Sequence, residues 1–89
     1  MRVTDVPESS RWEARTDGGE LAGIAEYVLA DGVVTFTHTE VVLEGQGVGG
    51  QLARTALDAA RERGLRVVPQ CPFFRGWIDK HPDYADLTA

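Results

Sequence analysis

A cluster of four glycines divides this sequence into two parts with different periodicity. Gly45, Gly47, Gly49 and Gly50 fall within six residues, although each glycine loses more backbone freedom on folding than any other residue. Before the cluster, polar and apolar residues alternate with the period of two that is typical of strands. After it, apolar residues recur every fourth position, as in an amphipathic helix. The chain therefore changes from strands to a helix at this loop, and the loop needs its glycines for a specific reason.

Three strands are predicted before the glycines, over 11–16, 20–29 and 33–43. Asp17-Gly18-Gly19 is a predicted turn between the first two strands. Asp31-Gly32 predicts a type I′ hairpin turn, in which both central residues have positive φ. The three strands are therefore expected to be antiparallel. Alternation on the third strand predicts two faces, of which one carries Val34, Phe36, His38, Glu40 and Val42 and the other Val33, Thr35, Thr37, Thr39 and Val41.

The second half of the chain is predicted to form a helix, a strand and another helix. The first helix covers about 16 residues and ends at Gly64, a typical C-cap. The segment 65–70, LRVVPQ, is a short strand that we expect to pair parallel to the third strand, because a helix connects them. Cys71 and Pro72 occupy the cap and the first position of the second helix, and Pro82 ends it. With residues 1–9 as a loose arm, the 89 residues predict a single α+β domain with a mixed sheet in the order βββαβα.

Composition excludes several classes of partner. The net charge is −5 and no basic run occurs, which disfavours nucleic-acid binding. No apolar stretch approaches the roughly 18 residues of a membrane span. The single cysteine is typical of a reducing compartment, and the first residues contain no apolar signal core. We therefore expect a cytoplasmic monomer, in which Arg61, Arg63 and Arg66 belong to a solvated helix flank.

The glycine spacing is compatible with three kinds of loop. Gly45, Gly47 and Gly50 match G-x-G-x-x-G, but a dinucleotide fold needs an acidic residue roughly 20 positions on, at the end of the next strand. That strand ends here at Gln70-Cys71, which disfavours this interpretation. The second interpretation is a tight turn that uses glycine for its geometry alone. Four glycines favour the third interpretation, a row of bare amides at a helix N-terminus that binds an anion such as a diphosphate.

Three short motifs occur in order around the glycines: His38-Thr39-Glu40-Val41, Cys71-Pro72-Phe73 and the ending His81-Pro82-Asp83-Tyr84-Ala85-Asp86-Leu87. In this combination, residues 20–87 resemble the compact single-domain GNAT-like N-acetyltransferases. The resemblance implies a GNAT-like fold, acetyl-CoA as co-substrate, an amine acceptor and no metal. It also implies that the loop binds the pyrophosphate of coenzyme A while the pantetheine arm lies between the splayed third and fourth strands.

The resemblance also implies a set of cofactor-binding residues at the end of the third strand, in the loop and at the start of the second helix. They are Val41, Val42, Gly45, Gln46, Gly47, Val48, Gly49, Gly50, Cys71, Pro72 and Phe73. Two features depart from the wider superfamily. Glu44 stands where an arginine or glutamine usually opens the loop, and Phe73 and Phe74 occupy the region of the usual tyrosine acid. The acidic residues near His81 fit no compact metal pattern, and we expect them to form caps and ion pairs.

Acetyl transfer to an amine needs a base, a donor to the oxyanion and protonation of the leaving thiolate. Glu40 and His38 are both candidates for the base. Cys71, at a predicted helix N-terminus that favours negative charge, is a candidate acyl relay, oxyanion donor or lining residue, and we expect direct attack without an acyl-cysteine. The sequence thus predicts an N-acetyltransferase. The alternatives are a CoA-binding module with little catalysis and, because of Glu44, a scaffold without a ligand.

Overall fold

The computed structural model describes residues 1–88, which fold into one mixed sheet covered on one face by two helices. The strands are β1 (Arg2–Val6), β2 (Arg11–Arg15), β3 (Leu21–Ala30), β4 (Val33–Val41) and β5 (Arg66–Pro69). The helices are α1 (Val48–Glu62) and α2 (Pro72–Lys80), with 3-10 segments at Pro7–Ser9 and Pro82–Thr88. The sheet order is β1-β2-β3-β4-β5, in which β1 to β4 are antiparallel and β5 runs parallel to β4. The predicted α+β fold, with its single crossover, is therefore confirmed.

The N-terminal residues are not the loose arm that the sequence suggested. Residues 2–6 form β1, which pairs antiparallel with β2 along its whole length. Inside the sheet, Asp5 accepts a hydrogen bond of 2.7 Å from the hydroxyl of Tyr27 and lies 3.4 Å from Arg63. The sequence did not predict β1 because its alternation of polar and apolar residues covers only five positions and Pro7 follows it directly. The observed order is ββββαβα.

The turns fix the antiparallel register and the start of the glycine loop. Asp31 and Gly32 have φ of 55° and 78°, as the predicted type I′ turn requires. Gly23 and Leu21 of β3 pair with consecutive residues of β2, so Ala22 between them is an extra residue without a partner there. The carbonyl of Ala22 accepts hydrogen bonds from the amides of Val42 and Leu43. The loop that follows β4 is therefore anchored to the neighbouring strand.

A β-bulge in β4 overturns the predicted division of its side chains between two faces. Glu26 pairs with His38 and Tyr27 with Phe36, so Thr37 is an extra residue without a partner. A bulge shifts the alternation by one position. Phe36 is buried under the helices, whereas the side chains of His38 and Glu40 are 57% and 62% exposed on the opposite face. The prediction that these three residues share a face was therefore wrong.

Helix α1 packs closely on the sheet because β3 has a glycine beneath it. A Cβ at Gly23 would lie 2.8 Å from Val48 Cγ1 and 2.9 Å from the carbonyl oxygen of Glu40. The core between the helices and the sheet contains apolar residues of the strands and of both helices. Its largest fully buried side chains are Phe36, Phe74, Leu52, Leu57, Val48 and Val67.

The end of the described chain closes the core. Helix α2 begins at the predicted Cys71-Pro72 cap, and the segment Pro82–Thr88 buries Tyr84 and Leu87 against the rest of the molecule. Arg61 forms an ion pair with Asp86 at 2.8 Å, in agreement with the expected structural role of this acidic segment. No helix within residues 1–88 has the length and apolar character needed to cross a membrane.

Candidate active site

A cleft opens where β4 and β5 part. The parallel ladder joins them only from Val33 to Phe36 and ends at Pro69, which has no N–H to continue it. One further bond, 2.9 Å from the amide of Cys71 to the carbonyl of Phe36, closes the inner end of the cleft. Beyond it lie residues 37–41 of β4, outside the ladder with β5. The bulge at Thr37 stands at the point where the strands separate.

Cys71 lies at this inner end, buried and 4% exposed. Its sulfur accepts a hydrogen bond from the amide of Phe74 at 3.5 Å and so caps α2. Across the gap, Thr39 Oγ1 lies 3.3 Å from Sγ, where either atom can donate. The sequence analysis placed Thr39 in a motif without giving it a role. Its position opposite Cys71 follows from the bulge, which the alternation pattern did not reveal.

Three of the four glycines are required by turn geometry or by packing. Gly45 and Gly47 have φ of 80° and 69°, a left-handed conformation that other residues rarely adopt. A Cβ at Gly49 would lie 2.6 Å from the ring of Phe73, which packs over the start of α1. Gly50 has no such constraint, since a Cβ there would make only an ordinary contact with Trp77. Turn geometry and packing thus explain three of the four glycines, and their number alone is weaker evidence for an anion site than the sequence suggested.

The start of α1 nevertheless leaves backbone donors without helical partners. The first helical bond runs from the amide of Gln51 to the carbonyl of Gly47. The amides of Val48, Gly49 and Gly50 come before it and have no acceptor within the helix. Gly47 stands at the cap position, and no side chain caps this end of α1. Glu44 and Gln46 are exposed on the loop beside it, so Glu44 adds a negative charge near these donors.

The two candidate bases lie together on the open face of the sheet. His38 Nε2 is 3.8 Å from Glu40 Oε2, and both side chains are more than half exposed. Thr39, between them in sequence, points to the other face and contacts Cys71. The structure therefore brings His38 and Glu40 together and separates them from Cys71 by the thickness of the strand.

Another carboxylate on this face of the sheet is already held in ion pairs. Glu13 on β2 is bridged by Arg11 at 2.7 Å and by Arg15 at 3.1 Å. The hydrogen bond from Arg11, with further help from Arg15, lowers the pKa of Glu13 below its ordinary value. Glu13 is therefore held as a paired anion, whereas Glu40 has only the contact with His38.

Tyr84 does not replace the tyrosine acid that the superfamily pattern expects. Its hydroxyl donates to Asp58 at 2.7 Å, and this hydrogen bond raises the pKa of Tyr84. Asp58 lies ten residues into α1 from Val48, or about 15 Å along the helix axis. Among residues 1–88, no group of three or more His, Cys, Asp or Glu side chains is arranged to hold a metal ion.

Comparison with known proteins decides the family. A family model described as GCN5-related N-acetyl-transferase matches residues 11–87. The chain belongs to this family of acetyltransferases. The match extends the motif resemblance of residues 20–87 to β2 and so covers nearly the whole sheet. A search of curated protein sequences found no match.

The fold agrees with the family assignment. Among similar solved structures is the NMR solution structure of a GCN5-like protein from Staphylococcus aureus that is itself proposed to be an N-acetyltransferase. The two chains are 25% identical, the TM-score is 0.75, and the alignment covers 97% of this chain and 85% of the other. The GNAT-like fold predicted from the motifs is thus confirmed, while the role of each site residue stays a prediction.

Proposed function

We propose that this acetyltransferase-family protein binds acetyl-CoA and transfers the acetyl group to a primary amine. The observation that carries the proposal is the cleft where β4 and β5 separate after Phe36, close to the uncapped start of α1, since a Cβ at Gly23 would touch both the carbonyl of Glu40 and the side chain of Val48. An acyl donor that carries a diphosphate can enter between the separated strands and place its anionic end at free backbone amides.

The loop amides are the donors that we assign to the diphosphate. Val48, Gly49 and Gly50 offer N–H groups at the positive end of the α1 dipole. Glu44 contributes no attraction for phosphate, so the backbone must supply it. Gly45 and Gly47 add no side chain of their own near these amides, and the space where a Cβ would stand is open at both positions.

We assign the role of base to Glu40. In the transfer, a bond forms between the amine nitrogen and the acetyl carbon, and the carbon–sulfur bond breaks. The carboxylate takes one amine proton, the leaving thiolate takes a proton from water, and Glu40 returns its proton to solvent. Glu40 faces the open side of the sheet, where an acceptor can approach. His38 Nε2 lies 3.8 Å from the Glu40 carboxylate on the same face.

A second function, CoA binding with little catalysis, is favoured by a specific observation. Glu40 is 62% exposed, and its only close polar contact is the 3.8 Å approach of His38. A base that is not held in position contributes less to catalysis. Tyr84, the one buried tyrosine in the C-terminal motif, is engaged with Asp58.

Turnover distinguishes the two functions. Thiol release from acetyl-CoA, measured with a panel of primary amines, is expected to fall about a hundredfold at neutral pH in Glu40→Gln, because a general base typically contributes at least this much. Glu62→Gln, which removes an exposed carboxylate at the far end of α1, serves as the matched control and should keep the wild-type rate.

Three outcomes would contradict the proposal in whole or in part. An unchanged rate in Glu40→Gln would show that this carboxylate is not the base. If calorimetry detects acetyl-CoA binding but no amine supports thiol release, the protein is a binding module. Absence of binding at millimolar acetyl-CoA would contradict both functions.

A further inference from the structure

A groove between α1 and α2 lies next to the start of α1 and has a distinctive lining. It begins at Gly47 and Gly50 and continues past Gln51, Arg54, Thr55, Trp77 and His81. None of these residues is acidic, although Asp and Glu make up 14 of the 89 residues and the net charge is −5. The groove is therefore a local exception to the acidic character of the chain.

The side chains of the groove are held in place by stacking. The rings of Trp77 and His81 lie parallel, with centroids 3.7 Å apart. The guanidinium of Arg54 lies 5.4 Å from the centre of the Trp77 ring. His81 Nδ1 is 2.7 Å from the carbonyl of Trp77, and because a carbonyl can only accept, Nδ1 carries a proton. Arg54 and His81 are thus both positioned by the tryptophan.

These groups are matched to an anion. Arg54 and the indole N–H of Trp77 can only donate hydrogen bonds. Arg54 takes part in no ion pair among the described residues, whereas Arg11, Arg15, Arg61 and Arg63 each pair with a carboxylate. Its one hydrogen bond, 3.4 Å to the hydroxyl of Tyr84, leaves most of its five donors free.

We propose that Arg54, supported by Trp77 and His81, binds the 3′-phosphate of coenzyme A. This inference rests on the proposed function, which places the diphosphate at the start of α1. Arg54 follows Gly50 by four residues, which is about 6 Å along the helix axis. In coenzyme A the 5′-diphosphate and the 3′-phosphate leave the same ribose, so two anionic groups about one helical turn apart match this spacing. Arg54 thereby selects coenzyme A over its 3′-dephospho form.

The test compares two ligands that differ only in this phosphate. Calorimetry on the whole protein is expected to give at least about tenfold tighter binding for coenzyme A than for 3′-dephospho-coenzyme A, since hydrogen bonds to charged groups are the strong ones. Arg54→Gln should weaken coenzyme A binding to a similar extent and leave the dephospho form nearly unchanged. Trp77→Phe, which keeps an aromatic ring at this position but replaces the indole and removes its N–H, should reduce the preference for coenzyme A over the dephospho form in part.

Arg66→Gln is the matched control, because it removes one positive charge from β5 beyond the far end of α1. It should keep the wild-type preference between the two ligands. Equal binding of both ligands by the wild-type protein would overturn the inference and leave the proposed function standing, and this comparison needs no variant to fold. Equal weakening of both ligands by Arg54→Gln would also overturn it. If neither ligand binds, the proposed function fails and the inference fails with it.

Discussion

Cys71 has a structural role that is separable from any chemical one. Its sulfur caps α2 through the amide of Phe74 and contacts Thr39 across the cleft. A helix cap needs only an acceptor, and oxygen is a better acceptor than sulfur. The same side chain lies at the closed end of the cleft, where an acyl donor would end. The position of Cys71 therefore does not by itself identify it as a nucleophile.

Two substitutions separate the roles of Cys71. Cys71→Ser is expected to keep or raise the free energy of unfolding, because the hydroxyl can cap Phe74 and bond to Thr39. Cys71→Ala is expected to lower it by about 1 kcal/mol through loss of the cap. Denaturant unfolding measures both values. An alanine variant as stable as the serine variant would contradict the capping role.

The intact mass after exposure to acetyl-CoA tests the chemistry of the same residue. We expect no added acetyl group in the wild-type protein, as direct attack requires. A gain of one acetyl group that is absent in Cys71→Ala would overturn direct attack and support an acyl relay.

For single residues, the sequence predicted some conformations and caps correctly and missed some contacts. The caps at Cys71 and Pro72 and the positive φ of Asp31 and Gly32 were predictable because each depends on local chemistry. The contact of Thr39 with Cys71 and the proposed phosphate contact of Arg54 were missed. Both depend on which side chains lie across a gap, and a single sequence does not record that.

The contact between β3 and α1 determines how close the helix lies to the sheet. Gly23 lies under Val48 and Leu52, and the backbone of Glu40 lies beside it. Because part of this contact is backbone, the surroundings cannot give way by a side-chain rotation. The glycine loop follows directly from the same region, since the neighbouring carbonyl of Ala22 anchors Val42 and Leu43.

A matched pair of glycine substitutions tests this contact. Gly23→Ala is expected to lower the free energy of unfolding by about 1–3 kcal/mol, because the added methyl group overpacks the interface. Gly76→Ala, inside α2 with nothing near the added Cβ, should raise it by about 0.5–1 kcal/mol. Thermal or denaturant unfolding measures both. Equal effects would show that the lost backbone freedom of glycine in the unfolded chain, and not the contact with α1, governs the response at Gly23.

The elements themselves were largely predictable. Strong periodicity gave α1, β3 and β4 within a few residues, and the crossover gave the parallel pairing of β5. Strand β1 was missed because five polar and apolar residues beside a proline carry little signal. The bulge was missed because an extra residue leaves the composition of β4 unchanged and only its partners reveal it.

Across the whole molecule, one polar cluster joins three distant parts of the chain. The hydroxyl of Tyr27 on β3 donates to Asp5 on β1, and Arg63 at the end of α1 lies beside the same carboxylate. Burial, followed by the hydrogen bond to Asp5, raises the pKa of Tyr27 to about 12. The neutral form of this tyrosine is thus the one that the folded chain stabilises.

This shift predicts how stability depends on alkaline pH. In the unfolded chain Tyr27 titrates near its ordinary pKa of about 10, so its contribution is complete below that pH and is lost as pH rises towards about 12. The free energy of unfolding should therefore fall between these values, and less steeply in Tyr27→Phe. The pKa of Tyr84 is also raised, so the free energy of unfolding of Tyr27→Phe should still fall somewhat with pH. Denaturant unfolding from pH 8 to 12 measures this dependence, and identical slopes for the wild type and Tyr27→Phe would contradict the prediction.

The extra residue in β4 has a consequence for the gene as well as for the protein. The side chain of Phe36 points towards the helices and that of His38 towards the open face, with the extra residue Thr37 between them. If the Thr37 codon were deleted, side chains along β4 would alternate regularly between the two faces. Such a deletion would leave Thr39 and Glu40 on their present faces and remove only the bend. In this chain the faces of the two candidate bases and the bend at the cleft are therefore expected to be separable by the deletion of one codon.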